Sequence, residues 1–160
     1  VALHKMGAIV IPATFQLTPK DIVYRCQVAR VKYIIAADEE QILEHIGLAR
    51  PECPTLQGVF KVGDNPVCDG FYHDYRKLIA AASEQWQRVP TTIAEPMLIY
   101  FSSGTTGMPK MVLHKQDYPL GHIVTAKYWH QVEDNGRHLT ACDSGWAKFA
   151  WGQICCLRRR

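Results

Sequence analysis

No apolar run in this sequence approaches the roughly 18 to 20 residues that a membrane span needs. The N-terminal residues Val1 to Lys5 show neither a secretory pattern nor an initiator Met, and read as the interior of a longer protein. No basic stripe interleaved with aromatics is present, so nothing points to nucleic-acid binding. Net charge is +3, and Arg158, Arg159 and Arg160 alone bring three positive charges. The six cysteines, Cys26, Cys53, Cys68, Cys142, Cys155 and Cys156, form no Cys-x-x-Cys pair and no short Cys/His cluster with zinc-ligand spacing. They read as free thiols of a reducing intracellular compartment, cytoplasm or mitochondrial matrix, and no metal site is expected from them. There is no internal repeat. What is present is ordinary for a folded domain: 160 residues, 48% apolar and 21% charged, enough for one sizeable core.

Strand and helix patterns alternate along the chain. Gly7 to Pro12 reads as a short buried strand. Thr18 caps a helix that has Pro19 at its first position and Asp21 facing its free N–H groups. Ile22, Cys26 and Ala29, with Val23 alongside, give that helix one apolar face. Lys32 to Ala37 reads as a strand, Glu39 to Ala49 as a helix, and Leu56 to Val62 as a strand running into a turn at residues 63–66. Tyr72 to Trp86 shows helical spacing, with Tyr75, Leu78, Ile79 and Ala82 on one side. Arg88 to Pro96 is the best linker or loop candidate, because Pro90 and Pro96 disfavour regular structure between them. Met97 to Phe101 is a further strand. The strands lack clean alternation, as expected for strands buried on both faces. The class is α/β, a mostly parallel sheet flanked by helices.

Residues 101–110, FSSGTTGMPK, follow that last strand. The run differs from Gly-x-x-x-x-Gly-Lys-Ser/Thr: Gly104 and Gly107 are too close, Pro109 precedes the Lys, and Met111 stands where Ser or Thr would hold magnesium. This disfavours a general P-loop NTPase. Pro109 disfavours a helix through Met108, and Met111 to His114 reads as a strand, so the loop joins two strands. Its chemistry suits an anion all the same. Gly104 and Gly107 let successive N–H groups face one concavity. Ser102, Ser103, Thr105 and Thr106 add hydroxyls, and Lys110 adds a compact positive charge. A hydrophilic hairpin turn accounts for the spacing equally well.

Tyr100 to Met111 closely resembles the phosphate-binding signature of the adenylate-forming (AMP-binding) enzymes, a superfamily of acyl-CoA synthetases, luciferases and peptide-synthetase adenylation domains. Lys5 to Thr14, Gln16 to Ile22, His114, Tyr118 to His122, Lys127 to Trp129 and Leu139 to Lys148 look like the acetyl-CoA and medium-chain acyl-CoA synthetase branch. The resemblance spans residues 1–154 and implies part of the large N-terminal domain of that fold. It implies ATP with Mg2+, and CoA as co-substrate: a carboxylate attacks the α-phosphate, and CoA then takes the acyl group as a thioester. By the same resemblance Ser102, Ser103, Gly104, Thr105, Thr106, Gly107, Met108, Pro109 and Lys110 bind the nucleotide phosphates. Ser102 stands where the family often has Thr. Gly145 and Trp146 are candidates for the acyl or CoA side, with core packing as the alternative for the indole. His114 and His122 read as packed or surface histidines, and Asp143 is given no chemistry.

Several family parts have no match in this chain. The later Gly-Tyr-Gly-x-Thr-Glu segment, the ribose-binding Asp and the catalytic Lys of the C-terminal domain are not found, so no catalytic residue is assigned. Cys155 to Arg160 departs from the family pattern and reads as an atypical basic tail, from a truncation or a shifted reading frame. The expectation is an incomplete acyl-CoA synthetase domain, inactive alone and weak for ATP. The alternative is a non-catalytic form that associates with a partner or with itself through uncovered apolar surface.

Overall fold

The computed structural model describes residues 2–103, 107–133 and 139–149. In chain order the elements are α1 (Ala2–Lys5), α2 (Pro19–Ala29), β1 (Tyr33–Ala37), α3 (Glu40–Ala49) with a 3-10 turn (Arg50–Glu52), β2 (Gly58–Val62), β3 (Tyr72–Asp74), α4 (Tyr75–Ala81), β4 (Pro96–Ser102), β5 (Lys110–Lys115), α5 (Tyr118–Val124) and a π turn (Thr125–Trp129). They fall into two compact units. One is Phe15–Trp86, and the other is formed by described residues on either side of it. No helix among the described residues is long and apolar enough to cross a membrane.

The Phe15–Trp86 unit is the parallel part. β1, β2 and β3 lie side by side in that order, all parallel, with Tyr33 opposite Gly58 and Val59 opposite Tyr72. α2 and α3 pack together over a core of Ile22, Cys26, Ile46, Ala49, Cys53, Leu56 and Val59. α2 starts as its sequence requires. The Thr18 hydroxyl accepts the Asp21 N–H at 3.3 Å, and the Asp21 carboxylate accepts the Thr18 N–H at 3.1 Å, a reciprocal capping box. Both buried thiols, Cys26 and Cys53, are free, and burial pushes the Cys26 thiol up to about 12. At that value it is an inert core side chain. The one buried lysine among the described residues, Lys61, is 7% exposed and fully occupied. Its Nζ meets Asp38 Oδ1 at 2.8 Å and donates to the Val67 carbonyl at 3.2 Å, as a buried charge must.

The second unit is built on β4. β4 and β5 pair antiparallel from Pro96 opposite Lys115 to Ser102 opposite Lys110. Val10 pairs parallel with Leu98 on the other edge of β4, donating to Met97 O at 3.0 Å and accepting from Ile99 N at 2.9 Å. Met97, Leu98 and Tyr100 form the core here, with Val10, Tyr118 and Ala147 packed against them.

Three expectations are revised. Gly7 to Pro12 contributes a single bridge at Val10, where Pro12 stops further pairing. Tyr72 to Trp86 is not one helix: Tyr72–Asp74 pairs with β2, and Asp74 then caps α4 by accepting the Lys77 N–H at 3.0 Å. The helix ends at Ala81, and no residue of it is buried. β1 alternates in exposure, with Tyr33 and Ile35 outward, so it is not covered on both faces.

The capping box gives a direct test. Thr18→Ala is expected to lower the urea midpoint of the chain by an amount worth about 1 kcal/mol, and Thr18→Ser by much less. The Asp21 carboxyl is held below its ordinary range, first by the Thr18 hydrogen bond. Its contribution is therefore full above that ordinary value and is lost as pH falls through the lowered one. An unchanged midpoint in Thr18→Ala, followed by tryptophan fluorescence, would show that the box contributes nothing.

Candidate functional site

β4 carries Ser102 to the end of the hairpin, and β5 brings Lys110 directly opposite it. Side chains alternate across a strand, so Ser102, Tyr100 and Leu98 share one face with Lys110, Val112 and His114. Ser102, Ser103, Gly107, Met108 and Lys110 are exposed, and Pro109 is half-buried between Met108 and the first residue of β5. Gly107 has φ +134°, a region that side chains rarely adopt, and open space lies where a Cβ would stand. The constraint at Gly107 is thus backbone conformation rather than crowding. Gly104, Thr105 and Thr106 lie outside the described residues, as does the Cys155 to Arg160 tail. The hairpin is as expected: Pro109 precedes a strand, and no helix follows the loop.

Gly145 and Trp146 lie on a turn that the structure ties back to β4. Asp143, given no role from the sequence, organises it. Its Oδ1 accepts the Gly145 N–H at 2.7 Å and its Oδ2 accepts the Thr14 hydroxyl at 3.2 Å, while the Ser144 hydroxyl donates to Ala13 O at 3.3 Å. Two residues on from Gly145, the Ala147 carbonyl accepts the Tyr100 hydroxyl at 3.4 Å. Tyr100 is 6% exposed, and burial raises its phenol above the ordinary range, so it remains a donor. Trp146 is 70% exposed, so core packing does not explain it. β4 therefore serves as a common support for the loop and for the Gly145–Trp146 turn. The strand parity of Tyr100 and Ser102 was the available sign of this; the Ala147 contact was not.

His114 and His122 are packed rather than aimed at the loop. His114 lies against Tyr118 with ring centroids 4.2 Å apart, and Tyr118 against His122 at 4.5 Å. Burial holds both imidazoles below their ordinary range, with His114 and His130 further lowering His122.

A family model described as AMP-binding enzyme matches residues 1–159. The chain belongs to the AMP-binding enzyme family. It is 36% identical over 152 residues to the mitochondrial acyl-coenzyme A synthetase ACSM5 of Homo sapiens, covering 94% of this chain and 26% of that protein. It is 36% identical over 155 residues to the mitochondrial acyl-coenzyme A synthetase ACSM4 of Rattus norvegicus, covering 96% and 26%. The chain thus spans about a quarter of the length of the curated relatives it matches. Among solved structures, an acyl-CoA synthetase of Brucella canis matches with a TM-score of 0.81 at 18% identity, over 98% of this chain and 28% of that one. The acetoacetyl-CoA synthetase from Streptomyces lividans matches with a TM-score of 0.80 at 20% identity, over 96% and 26%. At these identities the likeness speaks for the fold: α/β with a parallel sheet, part of the N-terminal domain of the adenylate-forming enzymes.

The turn at Gly145 predicts its own intolerance. A Cβ at Gly145 would collide with the Thr14 main-chain N and lie 2.9 Å from the Ala13 carbonyl carbon. Backbone cannot swing aside as a side-chain end can. Gly145→Ala is expected to cost about 1–3 kcal/mol as overpacking, read as a lowered thermal midpoint. A midpoint equal to that of the unaltered chain would mean the turn is not held against residues 13–14.

Proposed function

We propose that this chain carries the phosphate-binding hairpin of an ATP-dependent acyl-CoA synthetase. The reaction is attack of a carboxylate on the α-phosphate of ATP, giving an acyl-adenylate and pyrophosphate, followed by thioester formation with CoA. The observation that carries the reading is the pairing of Ser102 with Lys110 at the mouth of the β4–β5 hairpin, in a chain of this family. Two anions that repel must be held close, and donors must meet the charge that develops on the phosphates. Ser102, Ser103, Gly104, Thr105, Thr106, Gly107, Met108, Pro109 and Lys110 are the phosphate-binding set. Lys110 would act as a point charge beside the β- and γ-phosphates, with the loop's hydroxyls and main-chain N–H groups as donors to their oxygens. Gly145 and Trp146 stand on the acyl or CoA side.

The donor set fits a polyphosphate: hydroxyls and a lysine, exposed, with open space above Gly107. No cluster of three His, Cys, Asp or Glu placed to hold a metal ion occurs among the described residues. Magnesium would come with the nucleotide, and the Ser102 and Ser103 hydroxyls are the protein groups that would help to hold it. It would screen phosphate charge during the attack. The mitochondrial relatives and the free thiols are the support for placing the protein in the mitochondrial matrix.

The 160-residue polypeptide assayed by itself is expected to form no acyl-CoA, because the family's catalytic Lys has no counterpart in it. A second reading is favoured by its uncovered apolar side chains. Met111, Val112 and Leu113 on β5, and Leu78 and Ile79 on α4, are all at least 40% exposed. Such surface favours association, with itself or with another chain.

A MgATP titration by calorimetry separates the readings, after circular dichroism confirms folding. Saturable binding that weakens about tenfold or more in Lys110→Ala, as loss of one charge-assisted bond predicts, supports the phosphate cradle. No binding by a folded chain that sediments as a dimer or larger favours the association reading. Thioester formation from carboxylate, ATP and CoA by this polypeptide would refute its expected inactivity.

A further inference from the structure

The core of the Phe15–Trp86 unit shuts away two nucleophilic sulfurs. Cys26, in the C-terminal half of α2, is 2% exposed, and Cys53, just after the 3-10 turn that follows α3, is 3% exposed. Both belong to one cluster, with Ile22, Ile46 and Val59 around them. Their chain neighbours are tied as well, because Gln27 Nε2 donates to the Glu52 carbonyl at 3.0 Å. The two thiols are near enough to perturb each other. Burial, first of all, raises both, and their contact then raises Cys26 further and draws Cys53 back down. A free Cys packs as a small apolar side chain. Two of them side by side also have a chemistry that neither has alone.

We propose that Cys26 and Cys53 are a peroxide-sensitive dithiol that closes to a disulfide and staples α2 to the turn that follows α3. The two differ in access. Cys53 lies between exposed Glu52 and exposed Pro54. Its turn is held by Cys53 N donating to Arg50 O and Leu56 N donating to Cys53 O, each at 3.0 Å. A short turn opens locally at less cost than a whole helix, so Cys53 is the sulfur that meets hydrogen peroxide. A bond forms between that sulfur and one peroxide oxygen, the O–O bond breaks, and the thiol proton leaves with the other oxygen as water. The product is a sulfenic acid. Once the turn recloses, the Cys26 sulfur attacks the sulfenic sulfur. The S–S bond forms, the S–O bond breaks, and the Cys26 proton leaves with the hydroxyl as water. The two sulfurs together give up two electrons, and the peroxide takes both. No free Cys26 thiolate has to persist in the core, so Cys26 stays inert toward solvent. A link between residues 26 and 53 closes a loop that contains β1 and α3 and narrows the unfolded ensemble of the unit.

The test uses the whole chain with Cys68→Ser, Cys142→Ser, Cys155→Ser and Cys156→Ser, so that only the pair remains. It is treated with hydrogen peroxide, quenched with catalase and mapped by mass spectrometry without reduction. The expected result is loss of both thiols to one intramolecular link between the Cys26 and Cys53 peptides. The urea midpoint should shift upward, and dithiothreitol should reverse both changes. In the same background Cys26→Ser is expected to leave a dimedone-reactive sulfenic acid at Cys53, and Cys53→Ser to leave Cys26 a thiol. Should these two variants not fold, the link map and the midpoint still decide. Two free thiols, at a peroxide dose that fully oxidises Cys68 of the unaltered chain, would overturn the staple. So would sulfinic acid at Cys53 with Cys26 still free, or a linked chain whose midpoint is not raised. A rate of linking that climbs with urea as steeply as global unfolding would overturn it too, since the link would then arise in the unfolded chain.

Discussion

A strand buried on both faces must satisfy its backbone on both edges, and β4 is such a strand. Met97, Leu98, Ile99 and Tyr100 are all buried, so water cannot serve their N–H and C=O groups. β5 pairs along one edge and Val10 along the other. Everything else described in this unit hangs from that arrangement. The antiparallel partner must return from the end of β4, so the hydroxyl-rich run sits at the mouth of a hairpin. The parallel partner must leave past Pro12, which delivers Ala13 and Thr14 to the turn held by Asp143. A break in β4 would displace the loop and the turn together.

The Phe15–Trp86 unit obeys a different constraint, that of a small parallel sheet whose ends carry charge. Lys61 is inside and paired with Asp38, just beyond β1, where Asp38 N also donates to Val62 O at 3.0 Å. Gly63 is required at this crossing, because a Cβ there would strike the Asp38 side chain. A buried pair of this kind adds little net stability against an apolar alternative, but removing one partner is costly. The unit's hold on its own geometry comes from that pair, the capped α2 and the core around Val59.

Local chemistry was legible in the sequence, and long-range pairing was not. Thr18, Pro19 and Asp21 announce α2 because capping is settled within four residues. Pro109 announces the hairpin because its ring bars a helix through Met108. Tyr72 misleads: apolar spacing from Tyr75 onward is helical, and only the pairing of Tyr72–Asp74 with β2 makes those residues a strand. Gly7 to Pro12 misleads in the opposite sense, since an apolar run says nothing about how many of its residues find a partner. The hairpin was readable because the Gly, Ser, Thr and Pro residues that mark it are adjacent in sequence. Asp143 was not, because its partner Thr14 is distant along the chain. The histidines were read as packed or surface, and what they pack against depends on strand parity and a helix turn at once.

The shared support of loop and turn has a consequence for chemistry. Positioning catalysis needs groups on rigid elements, because a displacement of about 1 Å is costly to rate. Lys110 reaches β4 through backbone pairing, which is stiff. Trp146 reaches it through Gly145, Asp143 and the single Tyr100–Ala147 hydrogen bond, which is softer. Trp146 is also largely exposed, with little packing to restrain the indole. The loop side is thus organised by backbone pairing, and the Trp146 side only as far as its turn.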